Sequence, residues 1–441
     1  MTAIRPGAGT PALPAATRPG SGTPAAAAAP AAPTVPAAAD GTGSRDLVVV
    51  SLEPWDQVWR RNQHLVAGLL ADDPGLRVLF VEPPVDHLHD LRRGAPLTVG
   101  RRLRRLTAQD GAAEGRTWAY RPTKWLPRRF APGADARRAR GIARVARRLG
   151  MRDPVLWVND PDGAAVLAAT GWRALYDVTD DWLRAVRDPA EHERTAANER
   201  ALLAGCAEVV VCSPALARTK GTDRPVTLVT NAVDVDAYRT PQPRPADLPA
   251  GDYAVYVGTL HPDRLDLGAC LRLATHLRAA DARLVLVGPP LLDALDVTRL
   301  EAAGALLLGP RPATRVPGYL QHAAALVVPH VVDDFTDSLD PIKLYEYLAV
   351  GRPIVSTPVA GFRDQPSTLV TTASPQHLPD VVVRVLAEQR AGATGRSTAT
   401  GAPPAADPSV AGAVPRWSDR VQEMAQVLNR VRTERPAARP R

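Results

Sequence analysis

The chain has 441 residues, a formal net charge of +8, and is 45% hydrophobic and 23% charged. That length suits two ordinary domains. No run of about eighteen apolar residues occurs, which argues against a membrane-spanning helix. The cysteines Cys206, Cys212 and Cys270 have neither C-x-x-C nor metal-ligand spacing, which argues against a disulfide framework or structural zinc and suits a reducing compartment.

In chain order, residues 1–45 are mostly Ala, Pro, Gly and Thr and are expected to be disordered. Recurrent proline and the lack of an apolar centre argue against a secretory signal there, and none is expected. "DLVVVSLEP" (46–54) is a predicted strand and loop, "RRNQHLVAGLLADD" a helix, and "RVLFVEPP" the next strand. From Leu91 to Arg152, seventeen Arg and one Lys stand against only Asp110, Glu114 and Asp135. Within this basic segment, "DARRARGIARVARRLGM" is a predicted amphipathic helix with Ile142, Val145, Ala146 and Leu149 on one face. Its arginines form either a solvated basic face or a contact for anionic lipid. No nucleic-acid module accompanies them, so no nucleic-acid partner is expected. "PVLWVND", "RALYDVTDD" and "EVVVCSP" are further buried strands that end in polar residues, as at the carboxyl edge of a parallel sheet.

The first domain is expected over 46–236 and the second over 237–390. The second repeats the alternation, with strands at "YAVYVGTL", "RLVLVGPP", "GALLLGP", "AALVVPH" and "RPIVST" and helices between them. A flexible linker (391–415), an apolar-striped helix (416–432) and a disordered tail (433–441) complete the chain. The fold class is α/β, two Rossmann-like parallel-sheet domains facing across a cleft.

No G-x-G-x-x-G, Walker A loop or G-x-S-x-G is present. The chemistry gathers instead in the second domain. Gly258 follows a strand, where it lets backbone approach a ligand, and Arg264 lies on the same loop. Pro341 opens a helix whose N-terminus offers free N–H groups, and Lys343 adds a full charge there. Glu346, three residues on, shares its face and can accept hydrogen bonds from a diol. Cations for a diphosphate and a carboxylate for a sugar fit a nucleoside diphosphate. The plainer reading is a Lys343–Glu346 surface pair worth under about 0.5 kcal/mol.

"PIKLYEYLAVGRPIVST" (341–357) resembles the donor-binding signature of GT-B glycosyltransferases, nearest to the bacterial exopolysaccharide and teichuronic-acid type of group 1. "TNAVD" (230–234), "VGTLHPDRLDL", "WRRNQHLVAGLL" and "YDVTDDW" resemble further motifs of that group. The resemblance covers about 46–390 and the final helix, and implies that this helix returns to the first domain. It implies transfer of a sugar from a nucleotide-diphosphate donor to a glycan or lipid-linked acceptor, with no metal or other cofactor. It places Gly258, Arg264, Lys343, Glu346 and Ser338 on the donor. Ser338 stands where the wider superfamily has the first Glu of Glu-x7-Glu, and Thr259 where an Arg is common. Asp180 and Asp181 are the candidate bases, with a helix cap as their plainer role. Arg61, Gln63 and His64 are candidate acceptor contacts, His64 with a buried helix position as its plainer role. His330, Asp333 and Asp334 are expected beside the sugar pocket. Cell-envelope or exopolysaccharide assembly is the expected setting. The expected location is cytoplasmic, with a peripheral place on the inner face of the plasma membrane if the Arg-rich segment meets lipid. The alternatives are a non-catalytic nucleotide- or glycan-binding module and a sugar-nucleotide epimerase.

Overall fold

The computed structural model describes residues 45–56, 58–86, 103–124, 133–185, 188–394 and 414–433. The expected N-terminal and C-terminal tails, most of the linker, and residues 91–102 and 125–132 of the Arg-rich segment lie outside the described residues.

The first sheet is built from β1 (Asp46–Val50), β2 (Arg77–Val81), β4 (Leu103–Arg105), β5 (Thr117–Tyr120), β7 (Val155–Val158), β8 (Ala174–Val178), β9 (Glu208–Val211) and β10 (Thr227–Leu228). β3 (Val85–Asp86) and β6 (Thr123–Lys124) form a small separate pair. The order is β10-β9-β8-β7-β1-β2-β5-β4, parallel throughout except for the antiparallel edge strand β4. Chain order reverses between β1 and β7, which creates a crevice at the carboxyl ends of those strands.

The apolar runs explain why this sheet is covered on both sides. Side chains alternate across a strand. Leu47 and Val49 of β1 join one core with Val78, Phe80 and Trp157, while Val48 and Val50 join another with Leu79, Leu156 and Tyr176. Helices α1 (Arg61–Asp72), α2 (Ala134–Arg148), α3 (Ala164–Thr170), α4 (Pro189–Gly205) and α5 (Pro214–Lys220) belong to this lobe. α2 buries Ala139, Ile142, Val145 and Ala146 in the second of those cores and leaves Arg140, Arg144, Arg147 and Arg148 exposed.

After α6 (Val235–Arg239) comes a second, wholly parallel sheet. It holds β11 (Tyr253–Val257), β12 (Arg283–Val287), β13 (Leu306–Gly309), β14 (Ala325–Val328), β15 (Ile354–Ser356) and β16 (Val370–Thr372). The order β13-β12-β11-β14-β15-β16 is that of a doubly wound dinucleotide-type sheet, with the switch between β11 and β14. Its helices are α7 (Leu267–Ala279), α8 (Ala294–Ala303), α9 (Val316–Gln321), α10 (Ile342–Val350) and α11 (Leu378–Thr394).

The last helix, α12 (Trp417–Thr433), does not stay with the second sheet. Its buried Trp417, Val421, Met424, Val427, Leu428 and Val431 complete the first lobe's core against Leu65, Leu69 and Leu70 of α1. The two helices meet closely at Gly68, where an added Cβ would lie 2.3 Å from a methyl of Val421. The return of the final helix expected from the family resemblance is therefore observed.

Candidate active site

The site forms where the carboxyl edge of the second sheet meets that of the first. Gly258 directly follows β11 at φ +149°, a conformation that side chains other than glycine's rarely adopt, and its N–H donates to the Val287 carbonyl. Gly288, after β12, has φ +148°, and a Cβ there would come within 2.0 Å of the Gly258 carbonyl oxygen. The paired glycines bring two strand ends together, and the space a side chain would take at Gly258 is bordered by the Tyr256 hydroxyl and the Lys343 ammonium.

α10 points its first turn into this corner. Pro341 sits just before the helix as its cap, one place earlier than a first-turn proline, and Gly351 closes the helix in the left-handed conformation. Lys343 and Glu346 share a face but form no ion pair with each other among the described residues. The Lys343 ammonium lies 5.1 Å from the centre of the Tyr256 ring, and a Cβ placed on Gly258 would be 3.2 Å from its Nζ. Glu346 instead accepts a hydrogen bond from the Tyr238 hydroxyl on α6. Burial, and then repulsion from Arg264, hold the Lys343 ammonium down to about 8, with Glu346 opposing the shift. Burial also raises the Glu346 carboxyl, against Tyr238 and Lys343. His330, at the end of β14, is buried with Nε2 3.1 Å from the Tyr256 hydroxyl. Burial, Lys343 and Arg264 push it well below the usual histidine value, so it acts as a neutral prop for Tyr256.

Across the seam stands the first lobe. Asp180, just beyond β8, accepts from Arg264 at 3.0 Å and from the Thr179 hydroxyl at 3.1 Å. Arg264 also lies over the Phe335 ring, with its guanidinium carbon 5.5 Å from the centroid. Glu53, on the loop after β1, is held by Arg60 at 3.1 Å. Burial raises its carboxyl. Arg60 and Arg264 act against the shift, while Asp180 and Asp56 add to it.

The loop that leads into α10 is also the main bond between the lobes. Ser338 Oγ accepts from the Asp181 N–H, and the Ser338 carbonyl accepts from Ser213 at 2.7 Å. Asn231 donates to Asp340 from both its backbone and its side-chain amide. Arg184 pairs with Asp334 at 3.4 Å.

Gly258, Arg264, Lys343 and Glu346 thus come together, with Asp180 opposite. Other expected positions lie elsewhere, for identifiable reasons. Ser338 is buried in the interlobe seam with its oxygens in use, so it does not face the corner. Asp181 is buried among Lys220 at 2.9 Å and Arg184 at 3.3 Å, and Lys220 also holds Glu199 at 2.7 Å, so its carboxylate is structural. A turn, not a helix, follows it. Arg61 grips Asp177 through two nitrogens and reaches the Thr230 carbonyl and Asn231, all inside the lobe. Gln63 is fully buried and caps α1 through the Arg60 N–H and the Pro54 carbonyl. His64 stacks on Trp417 at 4.6 Å and meets the edge of Trp59, and burial holds it down to about 4. In this structure the three serve the packing and capping of α1. Glu53, Tyr238 and Tyr256 were not anticipated. Glu53 was within reach of the same reasoning as Asp180, since both follow a strand at the carboxyl edge.

Residues 251–388 match the family model described as glycosyl transferases group 1. This segment is therefore similar to the group 1 glycosyl transferases. The whole described chain has the GT-B fold, and the solved structures similar to it are distant in sequence. Sucrose-phosphate synthase from Thermosynechococcus elongatus aligns over 88% of this chain and 98% of its own at TM-score 0.60 and 16% identity. A glycosyltransferase from Rickettsia africae aligns over 88% and 99% at TM-score 0.58 and 10% identity. HepE of Anabaena, solved with UDP-glucose, aligns over 87% and 99% at TM-score 0.57 and 14% identity. No curated protein matches the chain at the sequence level.

Proposed function

We propose that this protein is a glycosyl transferase that moves a sugar from a nucleoside-diphosphate donor to a glycan or lipid-linked acceptor, in assembly of the cell envelope or an exopolysaccharide. The observation that carries the reading is the Lys343 ammonium, from the first turn of α10, held over the Tyr256 ring beside the Gly258 backbone, with Arg264 on the loop that follows the same strand, within the segment that matches the family. A diphosphate leaving group gains negative charge as its bond to the sugar breaks. Two cations and a helix N-terminus held in place stabilise that charge more in the transition state than in the bound donor. A bound metal is not part of this reading. Glu346, in reach of Tyr238, is the acceptor for the ribose hydroxyls. UDP is the first nucleotide to try, since HepE binds UDP-glucose in a similar fold.

The test is a thermal-shift screen of wild type and Glu346→Ala against UDP, GDP, ADP and dTDP. A ligand at a hundredfold excess over its Kd adds about 2.7 kcal/mol to a fold that alone binds it. A shift with one nucleotide, lost in the variant, supports the donor site. No shift with any of the four rejects it. Turnover of the matching sugar nucleotide in the presence of a chelator then separates a transferase from a module that only binds.

A further inference from the structure

We propose that Tyr238 positions the Glu346 carboxylate so that the site favours a ribonucleotide over its 2′-deoxy counterpart. The inference rests on the donor reading given above and adds the sugar of the nucleotide to it.

Glu346 has a cation on its own helix face, yet Lys343 turns to the Tyr256 ring and does not pair with it among the described residues. Glu346 Oε1 accepts from the Tyr238 hydroxyl, and Oε2 has no partner among the described residues. The two kinds of partner differ in effect. A lysine would cancel much of the carboxylate's charge and compete with a ligand for it. A phenol is neutral and gives one hydrogen, so the charge is kept and one oxygen stays open. Burial raises the Glu346 carboxyl, and the Tyr238 bond acts against that rise, which favours the ionised form. The terminal torsion of an unrestrained glutamate is broad. A bond at Oε1 narrows it and so fixes where Oε2 points.

Tyr238 is itself held from several sides. Its ring packs on the second lobe's core. Asp234 caps α6 by accepting from the Ala237 N–H at 3.2 Å. Gln321, the last residue of α9, is buried and donates to the carbonyls of Tyr238 and Thr240, each at 2.8 Å. It also accepts from the Gln242 N–H at 2.8 Å. The Gln321 carbonyl accepts in turn from Arg352, just beyond α10, through Nε at 2.9 Å and Nη2 at 2.6 Å. One buried glutamine thus ties the helix of Tyr238 to the helix of Glu346. The bond between the two side chains is set by the fold before any ligand arrives, so ordering the carboxylate does not weaken binding. A sugar hydroxyl that donates to Oε2 makes a charge-assisted bond. A deoxy sugar leaves that oxygen without a donor, and a site built around a hydroxyl rejects the analogue that lacks it.

The experiment measures calorimetric Kd values on the full chain for the nucleotide that the thermal-shift screen selects among UDP, GDP and ADP, and for its 2′-deoxy form. Wild type should bind the ribonucleotide about tenfold or more tightly. Tyr238→Phe keeps the ring and removes the hydroxyl. It should weaken the ribonucleotide by about fivefold or more and leave the deoxy form near its wild-type value, so that the ratio falls toward one. Glu346→Gln should lower the ratio too. Adding Tyr238→Phe to Glu346→Gln should change little further, because the tyrosine acts through the carboxylate. A Tyr238→Phe protein that weakens both nucleotides equally would overturn the role and leave Tyr238 a packing residue. So would additive effects of the two substitutions. Equal binding of both sugars by wild type, or selection of dTDP in the screen, would overturn it while the donor reading stood. Absence of binding by all four nucleotides would remove the donor reading and this role together.

Discussion

Lys343 carries its charge where burial and Arg264 both oppose it, and its ammonium is held down to about 8. Two trends of opposite sign follow. Between about 8 and the ordinary lysine value near 10.4, the folded protein has released this proton while an unfolded chain still holds it. Unfolding then takes up a proton, so this group makes the fold more stable as pH rises through that window. Nucleotide affinity should move the other way, weakening above about pH 8 as the cation that meets the diphosphate is lost. Lys343→Arg keeps its charge at every accessible pH and should flatten that dependence. Calorimetric Kd values against pH for both proteins provide the check. A flat wild-type curve would mean that Lys343 does not touch the phosphates. Arg61 shows how a residue can look chemical and be used structurally. Its partner Asp177 is distant in sequence, and nothing in "WRRNQHL" reveals that the guanidinium will be used inside the lobe.

Among the elements, α10 and the strands of both sheets are legible because their apolar patterns are local. Runs such as "DLVVV" and "YAVYV" mark strands buried on both faces, and Gly351 marks the end of α10. α4 is not legible in this way. Its inward positions include Thr195 and Glu199 beside Leu202, so it lacks an apolar stripe. Glu199 is tolerable there only because Lys220, from α5, arrives to pair with it. α12 is the opposite case, since its stripe is plain from the residues while its destination follows only from the family resemblance. The helix fills the first lobe's core, and Met424 is fully buried in it. Met424→Ala should therefore lower stability by about 2–5 kcal/mol in urea unfolding. A loss well under about 1 kcal/mol would mean that the helix docks only loosely.

Over the whole molecule, the seam and the basic face have different jobs. The loop from Asp333 to Asp340 is hydrogen-bonded to the first lobe at Asp181, Ser213 and Asn231, and it runs straight into the helix that carries Lys343 and Glu346. A shift between the lobes is therefore carried toward the corner that holds Lys343 and Glu346. The exposed arginines of α2 face outward on the first lobe, while its apolar side is closed into the core. No helix among the described residues is long and apolar enough to cross a membrane. If α2 meets an anionic membrane, it does so by charge alone, at about 1 kcal/mol per arginine near the surface. Binding to phosphatidylserine vesicles should then disappear as salt shortens the screening length. Binding that survives high salt would require apolar insertion, which this packing does not provide. No binding at low salt would remove the membrane contact from the proposed setting.

The return of α12 also has a consequence for how the protein is made. A ribosome releases the first lobe's last strand, β10, about two hundred residues before it releases α12. At typical synthesis rates of roughly 5–20 residues per second, the apolar groove beside α1 stays uncovered for about 10–40 s. During that interval Leu65, Leu69 and Leu70 lack the cover that α12 later gives them. The second lobe has all its own strands and can fold first, although it is made last. The nascent first lobe is thus a natural client for a chaperone, and it closes only once the C-terminal residues have cleared the exit tunnel.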